Sequence, residues 1–155
     1  MNNRISAHFV ACEKNEVETH FEYPSTIVLP RRGSSSSAGY DFVCPYSLDF
    51  GPHEEKVIPM WVKCLDMPRD KVLKLYVRSS IGIKRGLELS NSTGIIDSDY
   101  VWCIFVALRN RRDVPVHIDA GERIVQGIFE SYYVTCDDAP IADERTGGIG
   151  STGKK

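Results

Sequence analysis

The stretch VRSSIGIKRGLELSNSTGIIDSDYVWC, from Val77 to Cys103, decides how this chain reads. It starts at the end of an alternating run in which Leu73, Leu75 and Val77 are separated by Lys74 and Tyr76, the pattern of a half-buried strand. Ser80 to Arg85 then reads as one short helix, with serines at its start and Gly86 just past its end. Strand character returns in Leu87-Glu88-Leu89 and again in Ile95-Ile96. Between them stands Asn91-Ser92-Thr93-Gly94, and strand, Asn/Gly-containing turn and strand predict a hairpin.

The flanking sequence repeats the strand signal. RISAHFVAC, STIVLP, YDFVCPYSLDF, EKVIPMWVKCL, VWCIFVALRN, VPVHI and RIVQGIFESYYV are short alternating or β-branched runs, punctuated by Gly, Pro, Asn and Asp. Many short strands with frequent turns predict an all-β sandwich, jelly roll or barrel with a single short helix. No internal repeat is present.

With 155 residues, 42% of them hydrophobic, the chain suffices for one domain with a real core. A net charge of -2 argues against a nucleic-acid or anionic-membrane binder but leaves room for a small polyanion met by local positive charge. No apolar run approaches the roughly 20 residues of a membrane helix, and MNNRISAHF lacks a signal-peptide pattern. Cys12, Cys44, Cys64, Cys103 and Cys136 are odd in number and form no CxxC, which fits reduced thiols in a cytoplasmic protein. His8, His20, His53 and His117 are scattered without triad or metal-ligand spacing.

Within the opening stretch several residue types suit nucleotide chemistry. Arg78-Ser79-Ser80 has two readings: an ordinary serine cap beside a surface arginine, or a phosphate site built from two hydroxyls and a guanidinium. Asn91 either stabilises its turn or offers an amide to the edge of a pyrimidine. Asp97 ends an apolar run, and a carboxylate there either belongs to an Asp-Ser-Asp turn or takes a proton from an attacking water. Asp41, among the apolar residues of a predicted strand, needs a cation or several hydrogen-bond donors to be buried, and Arg78 is the obvious candidate partner. The tail from Glu144, ERTGGIGSTGKK, reads either as a loose terminus or as a mobile arm with a phosphate-binding Arg145.

Five segments in order resemble the motifs of the trimeric deoxyuridine triphosphatases: AGYD (Ala38 to Asp41), RSSIGIK (Arg78 to Lys84), NSTGIIDSDY (Asn91 to Tyr100), GERIVQGIF (Gly121 to Phe129) and RTGGIGSTG (Arg145 to Gly153). The resemblance implies a jelly-roll-like homotrimer, with a β-domain over residues 1–143 and a C-terminal arm over 144–155 that closes over sites at subunit interfaces. It implies hydrolysis of dUTP to dUMP and pyrophosphate. Asp97 would activate the water that attacks the α-phosphorus, and Arg78, Ser79 and Ser80 would hold the phosphate chain. Asn91 and the backbone of Ile95 and Ile96 would read uracil, with a backbone contact from Phe105, and Tyr100 would sit under the deoxyribose and exclude ribose. Gln126 would contact the α-phosphate region. Asp41 would brace the arginine and a hydrated Mg²⁺ held by phosphates and water rather than by direct protein ligands. Arg145, Ile149, Gly150, Ser151 and Thr152 would form the closing arm.

The chain leaves the family pattern at three places. Ile149 stands where an aromatic usually stacks on uracil, Val101-Trp102 replaces a small or polar residue followed by Gly, and Met1 to Glu22 carries no assignable motif. A related deaminase would need a glutamate on the strand after the third motif, and VWCIFVALRN has none. A nucleotide-sensing or protein-binding regulator on the same fold is the other alternative, and retention of both Asp97 and the arm weighs for chemistry.

Overall fold

A computed structural model describes residues 4–139 and 145–149 of the chain. In chain order the strands are β1 (His8–Ala11), β2 (Arg31–Arg32), β3 (Tyr40–Val43), β4 (Leu48–Phe50), β5 (Glu55–Pro59) and β6 (Val62–Leu65). They continue as β7 (Lys71–Val77), β8 (Leu87–Leu89), β9 (Gly94–Ile96), β10 (Phe105–Asn110), β11 (Val116–Ile118) and β12 (Arg123–Ser131). A five-stranded sheet runs β2-β3-β12-β7-β9 and a three-stranded sheet runs β5-β10-β8. Two-stranded pairs β1-β6 and β11-β4 complete the fold. Every pairing is antiparallel, so the chain has the all-β, jelly-roll-like architecture expected of it.

Alternation builds the core. In β10, Val106, Leu108 and Asn110 point inward while Arg109 is exposed. Leu73 and Leu75 of β7, Leu87 of β8, Ile118 of β11 and Ile124 and Val125 of β12 are fully buried in the same cluster. Each such side chain contributes about 1.5–3 kcal/mol on burial. Asn110, a polar member of this interior, is fully satisfied: Nδ2 donates to the carbonyls of Gly51 (2.9 Å) and Val114 (2.8 Å), and Oδ1 accepts from the Arg112 amide (3.0 Å). It ties the end of β10 to two loops. A smaller cluster of Cys12, Val17, Trp61 and Cys103 anchors the N-terminal segment, with Phe21 and Phe105 packed against it. The cysteines are free thiols, buried at Cys12, Cys44, Cys64 and Cys103 and exposed at Cys136.

The short helix spans Ser80–Arg85 as expected, in π-type geometry, and Gly86 ends it at φ 74° with its amide bonded back to Gly82. The serine cap is absent. Ser79 is itself helical and its side chain makes no capping bond, so the hydroxyls of the RSS segment are not consumed by the helix start. A 3₁₀ turn at Lys14–Glu16 was not anticipated.

The expected hairpin is not formed as a two-stranded ladder. β8 bonds to β10 and β9 bonds to β7. The turn between them, with Ser92 at φ 64°, carries the chain from one sheet to the other. Alternation and turn residues predicted two strands and a reversal correctly, but ladder partners depend on distant strands.

Candidate functional site

The turn between β8 and β9 opens one side of a cavity of about 490 Å³. Asn91, Ile95, Ile96, Tyr100 and Phe105 line it together with Arg145. β9 and β10 lie in different sheets, so the space between them is a gap in the fold rather than a ladder. Asn91 is exposed at the mouth and Ile96 is buried at the floor. Phe105 pairs with Pro59 at the start of β10, which sets the opposite wall.

Tyr100 is buried, and its hydroxyl donates to the Cys103 carbonyl at 2.7 Å. Burial pushes its phenol up to about 12, so the hydroxyl stays a neutral donor. Trp102 meets the ring edge-on, with centroids 5.7 Å apart. The Arg145 guanidinium lies 5.2 Å from the ring centroid, a cation–π distance.

Asp97 follows β9 directly and is half exposed. Its carboxylate accepts from Arg145 Nη1 at 3.0 Å, and the same nitrogen donates to Asp99 at 3.0 Å. Arg145 is largely enclosed. Its burial opposes the charged form, but the two carboxylates outweigh this and hold its pKa above the ordinary range. Arg145 and Ile149 therefore sit at the cavity of their own chain. Gly150, Ser151 and Thr152, and the arm boundary at 143/144, lie outside the described residues.

The remaining candidates gather elsewhere. Asp41 on β3 is bound by two arginines: Arg78 Nε at 3.0 Å from Oδ1 and Arg123 Nη1 at 3.0 Å from Oδ2. The Arg78 contact was expected and that of Arg123 was not, although Arg123 lies in the fourth motif. Gln126 on β12 stands opposite Asp41 in register. The chain at Gly39 runs so close that a Cβ there would lie 2.6 Å from Gln126 Oε1, so a larger residue would displace the Gln126 amide. Ser79 is exposed and Ser80 partly so beside Arg78.

These two groups do not converge within one chain. Leu73 pairs with Ile96, which places Asp97 level with Val72. Arg78 is six residues further along the same strand direction, on the order of 20 Å away at the rise of an extended chain. Asp97 and the Arg78–Asp41–Gln126 group thus lie at opposite ends of the β7–β9 pair. Beyond the expected set, Asp99 and Val57 also belong to the first group: Asp99 through Arg145, and Val57 as cavity wall. Asp99 had been read only as a turn residue, and nothing local marks Val57.

A family model described as dUTPase matches residues 25–153. The chain is 42% identical over 134 residues to the deoxyuridine 5'-triphosphate nucleotidohydrolase of Lactococcus lactis subsp. lactis, covering 82% of this chain and 89% of that protein. A crystal structure of dUTPase from Streptococcus mutans superposes with a TM-score of 0.70 at 32% identity, covering 82% of this chain and 97% of the other. A Staphylococcus bacteriophage 80alpha dUTPase with dUPNHPP gives a TM-score of 0.69 at 22% identity over 96% of this chain and 98% of that one, a likeness of fold.

Proposed function

The chain belongs to the dUTPase family and is a dUTP diphosphatase, and from that premise we propose how its residues carry out the hydrolysis of dUTP to dUMP and pyrophosphate. The uracil and deoxyribose enter the cavity between β9 and β10. Asn91 and the backbone of Ile95 and Ile96 pair with the base edge, Phe105 adds a backbone contact, and Tyr100 lies under the sugar. Asp97, at the rim, takes the proton of the water that attacks the α-phosphorus while pyrophosphate leaves. Arg145 passes from Asp97 to the triphosphate, and Ile149 closes on the base with Gly150, Ser151 and Thr152 beyond it. In this reading residues 1–143 are the β-domain and 144–155 the arm.

Arg78, Ser79 and Ser80 bind the phosphate chain, Gln126 contacts the α-phosphate region, and Asp41 orients Arg78. Since this group lies at the far end of β7 from Asp97 in its own chain, it serves the cavity of another copy. The separation supports sites at subunit interfaces, in the homotrimer that the family resemblance implies.

Both carboxylate oxygens of Asp41 already accept from guanidiniums. The residue therefore fits a Mg²⁺ reached through water better than one it ligates directly, and Mg²⁺ commonly takes its oxygens from phosphates, water and few carboxylates. When bound, the ion offsets the charge of the triphosphate and helps align it for attack.

One observation carries the reading: a cavity walled by Asn91, β9, Tyr100 and Arg145, whose guanidinium holds the carboxylate of Asp97, the residue next after β9. The test is pyrophosphate release from dUTP with Mg²⁺ by the wild type and Asp97→Asn. A loss of about 10²–10⁴-fold is expected for a general base. Equal rates would remove Asp97 from that role.

A further inference from the structure

Two of the buried thiols, far apart in sequence, meet in the fold. Cys12, just past β1, donates its amide to the Trp61 carbonyl at 2.9 Å, and Ile104, the residue after Cys103, donates its amide to the Val62 carbonyl at 2.9 Å. Both cysteines are thereby tied to the same Trp61–Val62 segment. Their side chains share the small cluster of Cys12, Val17, Trp61 and Cys103, where the two thiols hydrogen-bond to each other. Both are free. A disulfide of about 2.05 Å needs only a small approach of sulfurs already in contact.

The two sulfurs are not equivalent. The Cys12 thiol, and after it the backbone amides of Trp61 and Val62, donate to Cys103 and hold its pKa below the ordinary thiol value against the effect of burial. The Cys12 thiol, engaged with Cys103 and buried, is pushed up. Cys103 is thus the member favoured as thiolate, the nucleophilic form. Access is unequal in the same sense. A second cavity, of about 620 Å³, lies on the side of the N-terminal segment; Val17, Phe21, Tyr100, Cys103, Phe105 and Ile149 line it, among others, and Cys12 does not. A small oxidant entering that cavity meets Cys103 first. A buried structural cysteine is ordinarily inert, whereas a thiolate open to a cavity and backed by a second thiol has what a redox-reactive pair requires.

We propose that Cys12 and Cys103 form a peroxide-responsive dithiol, a modification site separate from the chemistry on dUTP. The Cys103 thiolate attacks one oxygen of hydrogen peroxide and the O–O bond breaks. Sulfenic acid forms at Cys103, and the departing hydroxide takes up the proton that Cys103 lost, giving water. Cys12 then attacks the sulfenic sulfur: the S–S bond forms, the S–O bond breaks, and the hydroxyl leaves with the Cys12 proton as a second water. Two thiols are oxidised and one peroxide is reduced to two waters. The disulfide staples the N-terminal segment to the turn that carries Tyr100, whose hydroxyl donates to the Cys103 carbonyl.

The experiment treats the full chain with hydrogen peroxide at a dose that oxidises the exposed Cys136 thiol of the wild type. Cys136→Ser, Cys136→Ser/Cys12→Ala and Cys136→Ser/Cys103→Ala are treated alongside. Free thiols are counted by alkylation after unfolding, crosslinked peptides are mapped by mass spectrometry, and thermal unfolding is followed before and after dithiothreitol. Cys136→Ser is expected to lose two thiols per chain and to yield one intrachain Cys12–Cys103 peptide. Its melting temperature should rise by about 5 °C or more, since the bond closes a loop of about 90 residues, and dithiothreitol should reverse the rise. Without Cys12, oxidation is expected at Cys103 with no crosslink. Without Cys103, Cys12 should stay reduced. If Cys12 and Cys103 of Cys136→Ser both remain alkylatable, they are packing residues only and the proposal is overturned. Oxidation of Cys103 to sulfinic or sulfonic acid without the crosslink overturns it as well. A crosslink that lowers the melting temperature would mean that the bond forms only by displacing the segment, which also overturns the proposal.

Discussion

Arg145 Nη1 donates to the Asp97 carboxylate at 3.0 Å. The arm's cation thus occupies the group proposed as general base, at the cavity of its own chain. On the proposed mechanism, a triphosphate entering that cavity would offer the guanidinium a more highly charged partner and would free Asp97 to accept a proton. Removing Arg145 would then remove its proposed contact with the phosphates. Arg145→Ala is expected to lower kcat/KM for dUTP by about 10- to 100-fold, the worth of about 1.5–3 kcal/mol for a hydrogen bond to a charged group. Steady-state pyrophosphate release measures this, and an unchanged kcat/KM would separate Arg145 from the substrate.

Asp97 and Arg78 lie at opposite ends of the β7–β9 pair. If another copy supplies Arg78 to each cavity, Arg78→Ala and Asp97→Asn should complement. Each homogeneous variant is expected to be nearly inactive. Co-refolded in equal amounts, they should recover activity in about a quarter of the sites, those that draw each intact residue from the appropriate copy. No recovery above the two variants alone would argue that one chain supplies both residues.

Ile149 lines both cavities and is 74% exposed. An aliphatic side chain covers a base by apolar contact but gains no ring stacking. Ile149→Phe is therefore expected to lower KM for dUTP about fivefold or more, from base–aromatic stacking worth about 1–3 kcal/mol. A KM that does not fall together with a kcat that does not rise would count against the arm's contact with uracil.

His117 joins β11 to β4 through a 2.6 Å bond from Nδ1 to Asp49, while Nε2 lies 3.2 Å from Asp119. The Asp49 carboxylate, and after it that of Asp119, raises the His117 pKa above its ordinary 6.5. The folded chain thus favours the imidazolium more than the unfolded chain does. This stabilisation is fully present below pH 6.5 and is lost as pH rises through the raised value. The melting temperature of His117→Gln should fall below that of the wild type at about pH 5 and approach it by about pH 9. A deficit that is the same at both pH values would show that the contacts act without the charge.

Gly86 holds φ 74° at the end of the short helix, and a Cβ there would lie 2.5 Å from Arg112 Nε and 2.9 Å from its Cγ. Gly86→Ala is expected to cost about 1–2 kcal/mol from the left-handed backbone alone. Urea unfolding reads the change, and a loss within error of zero would mean that the chain end relaxes to another conformation.

The sequence by itself determined what depends on near neighbours. The alternation of Leu73, Leu75 and Val77 marked a strand, and Gly86 marked the end of a helix that does stop at Arg85. The ordered motifs from Ala38 to Gly153 identified the family, because their residue types and spacing persist along the chain. Only the tertiary structure decided which strands pair. β8 and β9 are separated by one turn yet bond to different sheets. Asp41 meets Arg123, 82 residues away. Asn110 is buried because three backbone groups satisfy it, and no local pattern announces that. The Val77–Cys103 stretch looks continuous, but folding sends Arg78 and Asp97 to opposite ends of the sheet. Local preference is written in spacing of a few residues. Ladder partners, and hence distances across a site, are set by which buried faces fit together after the chain has closed on itself.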